Sequence, residues 1–157
     1  MDVNTIFNRL RHPAAQTVAC ATVTEGDFQL LRNSRYCLLL TFRRSGKGIA
    51  TPVWFAEARG RLYVRSEGDT GKVKRIRAGS QARVAPCTFR GRPTGGVIPA
   101  RARLLADYER EFAERALAEK YGLLRRVYRR VFPPGEGDVY IELAPLPTQA
   151  TRSSPSP

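Results

Sequence analysis

Glycine, a hydroxyl residue and several cations stand together in Asp69-Thr-Gly-Lys-Val-Lys-Arg-Ile76. Read as the start of a short helix, this segment points unpaired backbone N–H groups out of its first turn, and Asp69 or Thr70 can cap it. Such amides favour an anion. With Lys72 at 0° on a helical wheel, Val73 falls at about 100° and Ile76 at about 40°, so both face a core. Arg75 falls at about 300°, one turn from Lys72, and Lys74 at about 200°, towards water. Lys72 and Arg75 can therefore share one phosphate, Arg75 through both prongs of its guanidinium. A solvated amphipathic helix on any basic protein has the same pattern, and periodicity alone does not separate the two.

Upstream lies Thr51-Pro-Val-Trp-Phe55. Alternation puts Thr51, Val53 and Phe55 on one face and Pro52 and Trp54 on the other. Pro52 has no N–H to give a ladder, which marks an edge or a bulge, and freed backbone groups beside it suit the polar edge of a ring. In the following segment, Leu62 and Val64 point one way, Tyr63 and Arg65 the other. Ordinary packing accounts for Trp54 and Tyr63 equally well. Arg90 and Arg92 sit in a Gly/Pro loop and are either part of an anion site or solvated. The one histidine, His12, precedes a proline in a weakly patterned stretch. No Ser/His/Asp or Cys/His set, P-loop or dinucleotide fingerprint can be argued, so no catalytic residue is assigned.

Twenty-seven basic against 14 acidic residues give a net charge of +13, which attracts anions at a distance or simply keeps the protein soluble. Nucleic acid is one possible partner, but the aromatics form no stacking motif, and it is not expected. Three scattered cysteines and a lone histidine make no metal set, and buried free thiols in a reducing compartment are expected. No apolar run approaches the roughly 20 residues that span a bilayer, and Met1-Asp-Val-Asn-Thr-Ile-Phe7 lacks the basic region and apolar core of a signal sequence. No membrane partner and a cytoplasmic location are the expectation.

The elements that must position these residues are mainly strands. A chain of 157 residues with 42% apolar content suits one globular unit. Strands are expected over residues 36–42, 49–55, 61–66, 82–88, 97–105 and 139–143, with helices over 69–77, 107–121 and 123–132, the last two divided by Gly122. In the second of these helices Phe112, Ala116, Leu117 and Tyr121 share a face, and Glu111 and Arg115 are spaced to pair. Ile6, Phe7 and Leu10 suit a short helix that His12-Pro13 ends. The proline-rich stretch from Ala144 onward reads as a frayed tail. The organisation is an N-terminal extension (1–26), a cofactor-binding domain (27–144) and a flexible tail (145–157). Six strands with early hairpins suit a small antiparallel barrel.

Thr41-Phe42, Thr51-Pro-Val-Trp-Phe55, Leu62-Tyr-Val-Arg65, Gly71-Lys-Val-Lys-Arg-Ile76, Val84-Ala-Pro-Cys87 and Arg90-Gly-Arg-Pro-Thr94 together resemble the PPOX-class oxidoreductases that use the deazaflavin coenzyme F-420. These belong to the pyridoxamine 5'-phosphate oxidase-like, FMN-binding split β-barrel superfamily. The resemblance covers residues 27–143. It implies an α+β fold, mainly β: a six-stranded antiparallel split barrel with flanking helices. It also implies a homodimer with cofactor sites at the interface.

By the resemblance, Lys72 binds the cofactor phosphate, with Gly71 and Arg75 beside it. Thr51, Pro52, Val53 and Trp54 run along the deazaflavin ring, and Arg65 and Ser66 lie by the phosphate and ribityl chain. Arg92, with Arg43, Arg44, Lys47 and Arg90, is a candidate for the groove that takes the acidic cofactor tail. The activity implied is hydride transfer between reduced F-420 and an electron-poor organic acceptor. The alternatives are an FMN-dependent oxidase or reductase of the same fold, and an F-420 binding or storage protein without turnover.

Overall fold

The structure, a computed structural model, describes residues 11–23, 26–131 and 135–146. The expected helix at Ile6, Phe7 and Leu10 and the chain beyond Leu146 lie outside these. Among the described residues, seven strands form one antiparallel sheet: β1 (Tyr36–Phe42), β2 (Gly48–Trp54), β3 (Ala56–Ala58), β4 (Arg61–Glu67), β5 (Gln81–Cys87), β6 (Ile98–Leu104) and β7 (Asp138–Pro145). Their order is β2-β1-β5-β6-β7-β4-β3.

Six strands become seven because the chain breaks at Phe55. β2 and β3 follow one another in sequence, yet they occupy opposite edges of the sheet. The sheet must curl until those edges approach at Phe55, and this makes a barrel with a seam. Alternation along each strand fills the inside: Leu39, Val53, Phe55, Leu62, Val64, Val84, Ile98, Ile141 and Leu143 share one core.

β1 is apolar throughout because its outer face is also covered. Leu38 and Leu40 pack with Ala50 and Ala85 against Ala15 and Val18 of a 3-10 segment, Pro13–Ala19. Part of the N-terminal extension is thus built onto the barrel, which the weak pattern of that stretch did not indicate.

Helix α1 (Gly71–Ala78) connects β4 to β5 and buries Val73 and Ile76 in the barrel core. Helix α2 (Arg110–Val131) sets Ala113, Leu117 and Tyr121 against Ala56, Tyr63 and Tyr140. Phe112 and Ala116 pack beside them, and Arg115 pairs with Glu111 at 3.0 Å. Gly122, at φ 49°, is not helical, so the helix breaks where glycine allows it. The break reverses the chain: Arg125 bonds Glu114 at 2.5 Å although the two are 11 residues apart, a separation of about 16 Å in a straight helix.

Two expectations are corrected. The strand before the tail runs on through Ala144 and Pro145, which pair with Arg101 and Ala100. β4 ends opposite Leu143, so beyond it β7 has a neighbour on one side only, where a proline is tolerated. Cys37 and Cys87 are buried free thiols, but Cys20 is exposed.

Candidate functional site

α1 begins at Thr70, whose backbone is extended and whose side chain makes no cap bond. Its hydroxyl turns back instead, donating to the Glu67 carbonyl at 3.0 Å and meeting Ser66 Oγ at 3.1 Å. The amides of Gly71, Lys72 and Val73 therefore keep the electropositive character of an uncapped helix start. Val73 and Ile76 fix the phase of the helix, and Lys74 is exposed. Lys72 and Arg75 occupy the face between.

Arg75 is held in place. Its Nε donates to Thr41 Oγ1 at 2.7 Å, and Thr41 is buried near the end of β1. The guanidinium lies against Gly71: a Cβ on Gly71 would stand 2.8 Å from Arg75 Nη1. Glycine here makes room for the arginine head rather than for an unusual backbone angle. Burial lowers the Arg75 pKa, and Arg43 and Arg11 lower it further.

Lys72 is half-buried and makes no hydrogen bond or ion pair with the described residues. Burial brings its pKa down to about 8; Glu67 opposes this, Arg75 and Arg11 add to it, and Asp69 opposes it. An ammonium held among cations and away from water is stabilised by an incoming anion, which supplies both charge and acceptors. The arrangement can accept an anion such as a phosphate.

β2 pairs with β1 on one side only, so its other side is a sheet edge. Gln16 covers the beginning of that edge: its side-chain amide donates to the Gly48 carbonyl, and its oxygen accepts from Ala50 N–H at 3.3 Å. Pro52 lies two residues on and has the same parity, so its missing N–H falls on the open edge and the ladder to β1 stays whole. The expected edge is there, without a weakened ladder. Val53 points into the core and Thr51 is half-buried. Trp54 stacks on Tyr121 with ring centres 4.7 Å apart.

The loop after β5 closes on this strand. Gly91, at φ 84°, is buried so tightly that a Cβ would meet Ala15, Leu38 and Pro52 within 3.4 Å. Arg92 leaves this loop exposed, its N–H tied to Thr88 Oγ1 at 3.1 Å.

The structure thus brings Gly71, Lys72 and Arg75 together, with Ser66 beside the helix start. It does not bring Arg65 to them. Arg65 bonds Asp138 through Nε at 2.8 Å and again through Nη2. Alternation explains the separation: Ser66 follows Leu62 and Val64 inward, whereas Arg65 follows Tyr63 outward. Sequence reasoning did not select Thr41, Arg11 or Gln16. A hydroxyl inside the apolar run of β1 was the one signal for Thr41.

No family model and no curated protein matches the chain. Solved structures do. A protein from Listeria innocua described as a pyridoxamine 5'-phosphate oxidase is 19% identical, with a TM-score of 0.53 over 74% of this chain and 87% of that one. An FAD-binding protein from Mesorhizobium loti is 18% identical, TM-score 0.55, over 75% and 86%. An F420 reductase is 21% identical, TM-score 0.51, over 79% and 96%. A heme-binding protein from Mycobacterium smegmatis is also similar in fold. The likeness gives the fold: a curled, antiparallel split barrel of the kind these proteins share, with helices, in the α+β class. No helix among the described residues is long and apolar enough to cross a membrane.

Proposed function

We infer that this protein is an oxidoreductase that binds coenzyme F-420 and moves a hydride between it and a small electron-poor organic acceptor. The observation that carries the reading is Lys72, an amine held away from water without an anionic hydrogen-bond partner among the described residues, beside Arg75 at an uncapped helix start. The deazaflavin ring, when bound, supplies the hydride chemistry.

The chain's own residues bind and orient. Lys72, Arg75 and the first-turn amides of α1 hold the phosphate, and Thr41 keeps the Arg75 head aimed. The hydroxyls of Ser66 and Thr70 stand at the same helix start. The edge of β2 at Thr51, Pro52 and Val53 offers backbone to the ring, and Trp54 on Tyr121 walls its end against water. Arg11, Arg43 and Arg92, within a net charge of +13, favour a cofactor with an acidic tail over FMN, which ends at its phosphate. By this reading the working form is a cytoplasmic homodimer whose partner subunit completes the acceptor pocket.

Spectral titration of the purified protein with F-420 and, separately, with FMN tests the choice of cofactor. Saturable quenching by F-420 is expected; tight FMN binding without it supports the FMN-dependent alternative. Turnover of reduced F-420 with quinone and enone acceptors separates an enzyme from a binding or storage protein.

A further inference from the structure

Beyond Gly122, α2 is mounted with its apolar side outward. On a wheel starting at Leu123, residues Leu124, Val127 and Val131 fall at about 100°, 40° and 80°, so the four share one face. They are 46 to 75% exposed. Arg125 and Arg129 lie near 200° and 240°, roughly the opposite side. Arg125 turns inward: it is 3% exposed and bonds Glu114, which also takes the exposed Arg129 at 3.2 Å and the Tyr140 hydroxyl. An ordinary surface helix does the reverse, burying its apolar stripe and leaving its arginines in water. The Glu114 network therefore fixes the apolar face away from the barrel.

We propose that this face docks the protein on an anionic lipid bilayer surface. Arg126 and Arg130 are exposed and flank the apolar stripe at about 300° and 340°, where they reach the headgroup level once the stripe enters the acyl boundary. The sequence Gly122-Leu-Leu-Arg-Arg-Val-Tyr-Arg-Arg-Val131 holds four arginines and no acidic residue. A second copy laid on the same face would bring Arg126 and Arg130 against their counterparts, with no acidic residue in the segment to answer them. Nine helical residues also make a strip only about 13 Å long and about 10 Å wide, far short of the roughly 800 Å² per partner that a stable protein interface buries. A charged surface that adds attraction over the whole +13 molecule suits so short a stripe better. The expectation of no membrane partner rested on the lack of a spanning run, and a helix lying in the interface needs none. The proposal is independent of the cofactor.

Vesicle flotation of the full chain tests it, with phosphatidylcholine alone and with phosphatidylserine added. The wild type is expected to float with the mixed vesicles and not with phosphatidylcholine alone. Leu124→Ser/Val127→Ser, and independently Leu123→Ser/Val131→Ser, should reduce binding at least tenfold with an unchanged thermal melt. Arg126→Gln/Arg130→Gln should reduce it less. Wild type that stays behind, or serine variants that float as before, would overturn the proposal. So would light scattering in which the serine pairs turn a dimer into a monomer while wild type ignores the vesicles; that result assigns the face to a second copy.

Discussion

The hydroxyl of Tyr121 stands 2.9 Å from the Phe55 amide nitrogen and 2.8 Å from the Phe55 carbonyl oxygen. Phe55 is the residue between the two edge strands, so this contact closes the seam of the barrel from α2. The hydroxyl accepts from the Phe55 N–H and has one proton to give, either to the Phe55 carbonyl or to that of Arg35 at 2.6 Å. Tyr121→Phe removes the hydrogen-bond acceptor of a buried amide at the point where the sheet edges meet. A loss of about 1–3 kcal/mol is expected in urea unfolding. A loss within error of zero would mean that the seam closes without this hydroxyl.

Lys72 makes phosphate binding depend on pH in a defined window. Its folded pKa, about 8, lies below the ordinary 10.5, so the free protein carries a cost for charging the amine. That cost is fully present below pH 8 and is relieved as pH rises from about 8 towards 10.5. A bound phosphate restores the charged form and so takes up a proton. Cofactor affinity should be flat below pH 8 and fall by up to about tenfold per pH unit above it. Lys72→Gln should flatten this slope, as measured by titration calorimetry in two buffers of different ionisation enthalpy.

Gly71→Ala separates site from stability. Alanine is the better helix former by about 1 kcal/mol, so the melting temperature should hold or rise. The new methyl displaces the Arg75 head, which sits 2.8 Å from its position. Cofactor affinity should fall several-fold. Unchanged affinity in a well-folded Gly71→Ala protein would show that Arg75 does not act from where it lies.

Glu114→Gln tests the network beneath the second half of α2. Burial raises the Glu114 pKa, but the Arg125 and Tyr140 hydrogen bonds outweigh it and the net direction is down. Its contribution is thus present at neutral pH and lost as pH falls through the folded value. Neutralising it leaves Arg125 buried without a counter-charge, with an expected cost of about 3–5 kcal/mol in denaturant unfolding.

The sequence made the phase of α1 legible because Val73 and Ile76 differ so sharply from their charged neighbours. The same contrast located the strands, whose cores are apolar. It did not reveal the division at Phe55, because a strand that leaves one edge of a sheet for the other keeps its alternation. The partner of Arg65 was not legible, since a cation in this strand reads the same whether it faces the start of α1 or an aspartate 73 residues away. Thr41 escaped as a site residue because its role lies in a side-chain bond across 34 residues, which no local pattern records. The outward face of α2 was visible as an apolar stripe, but only Glu114 tells which way the stripe points.

The central claim is that the start of α1 holds the cofactor phosphate through Lys72. Side-by-side fluorescence titration of wild type and Lys72→Ala with F-420 tests it most directly. Loss of one charge-assisted contact, about 1.5–3 kcal/mol, predicts affinity weaker by about tenfold to 150-fold, with the melting temperature held. Equal affinity in the two proteins would contradict the account.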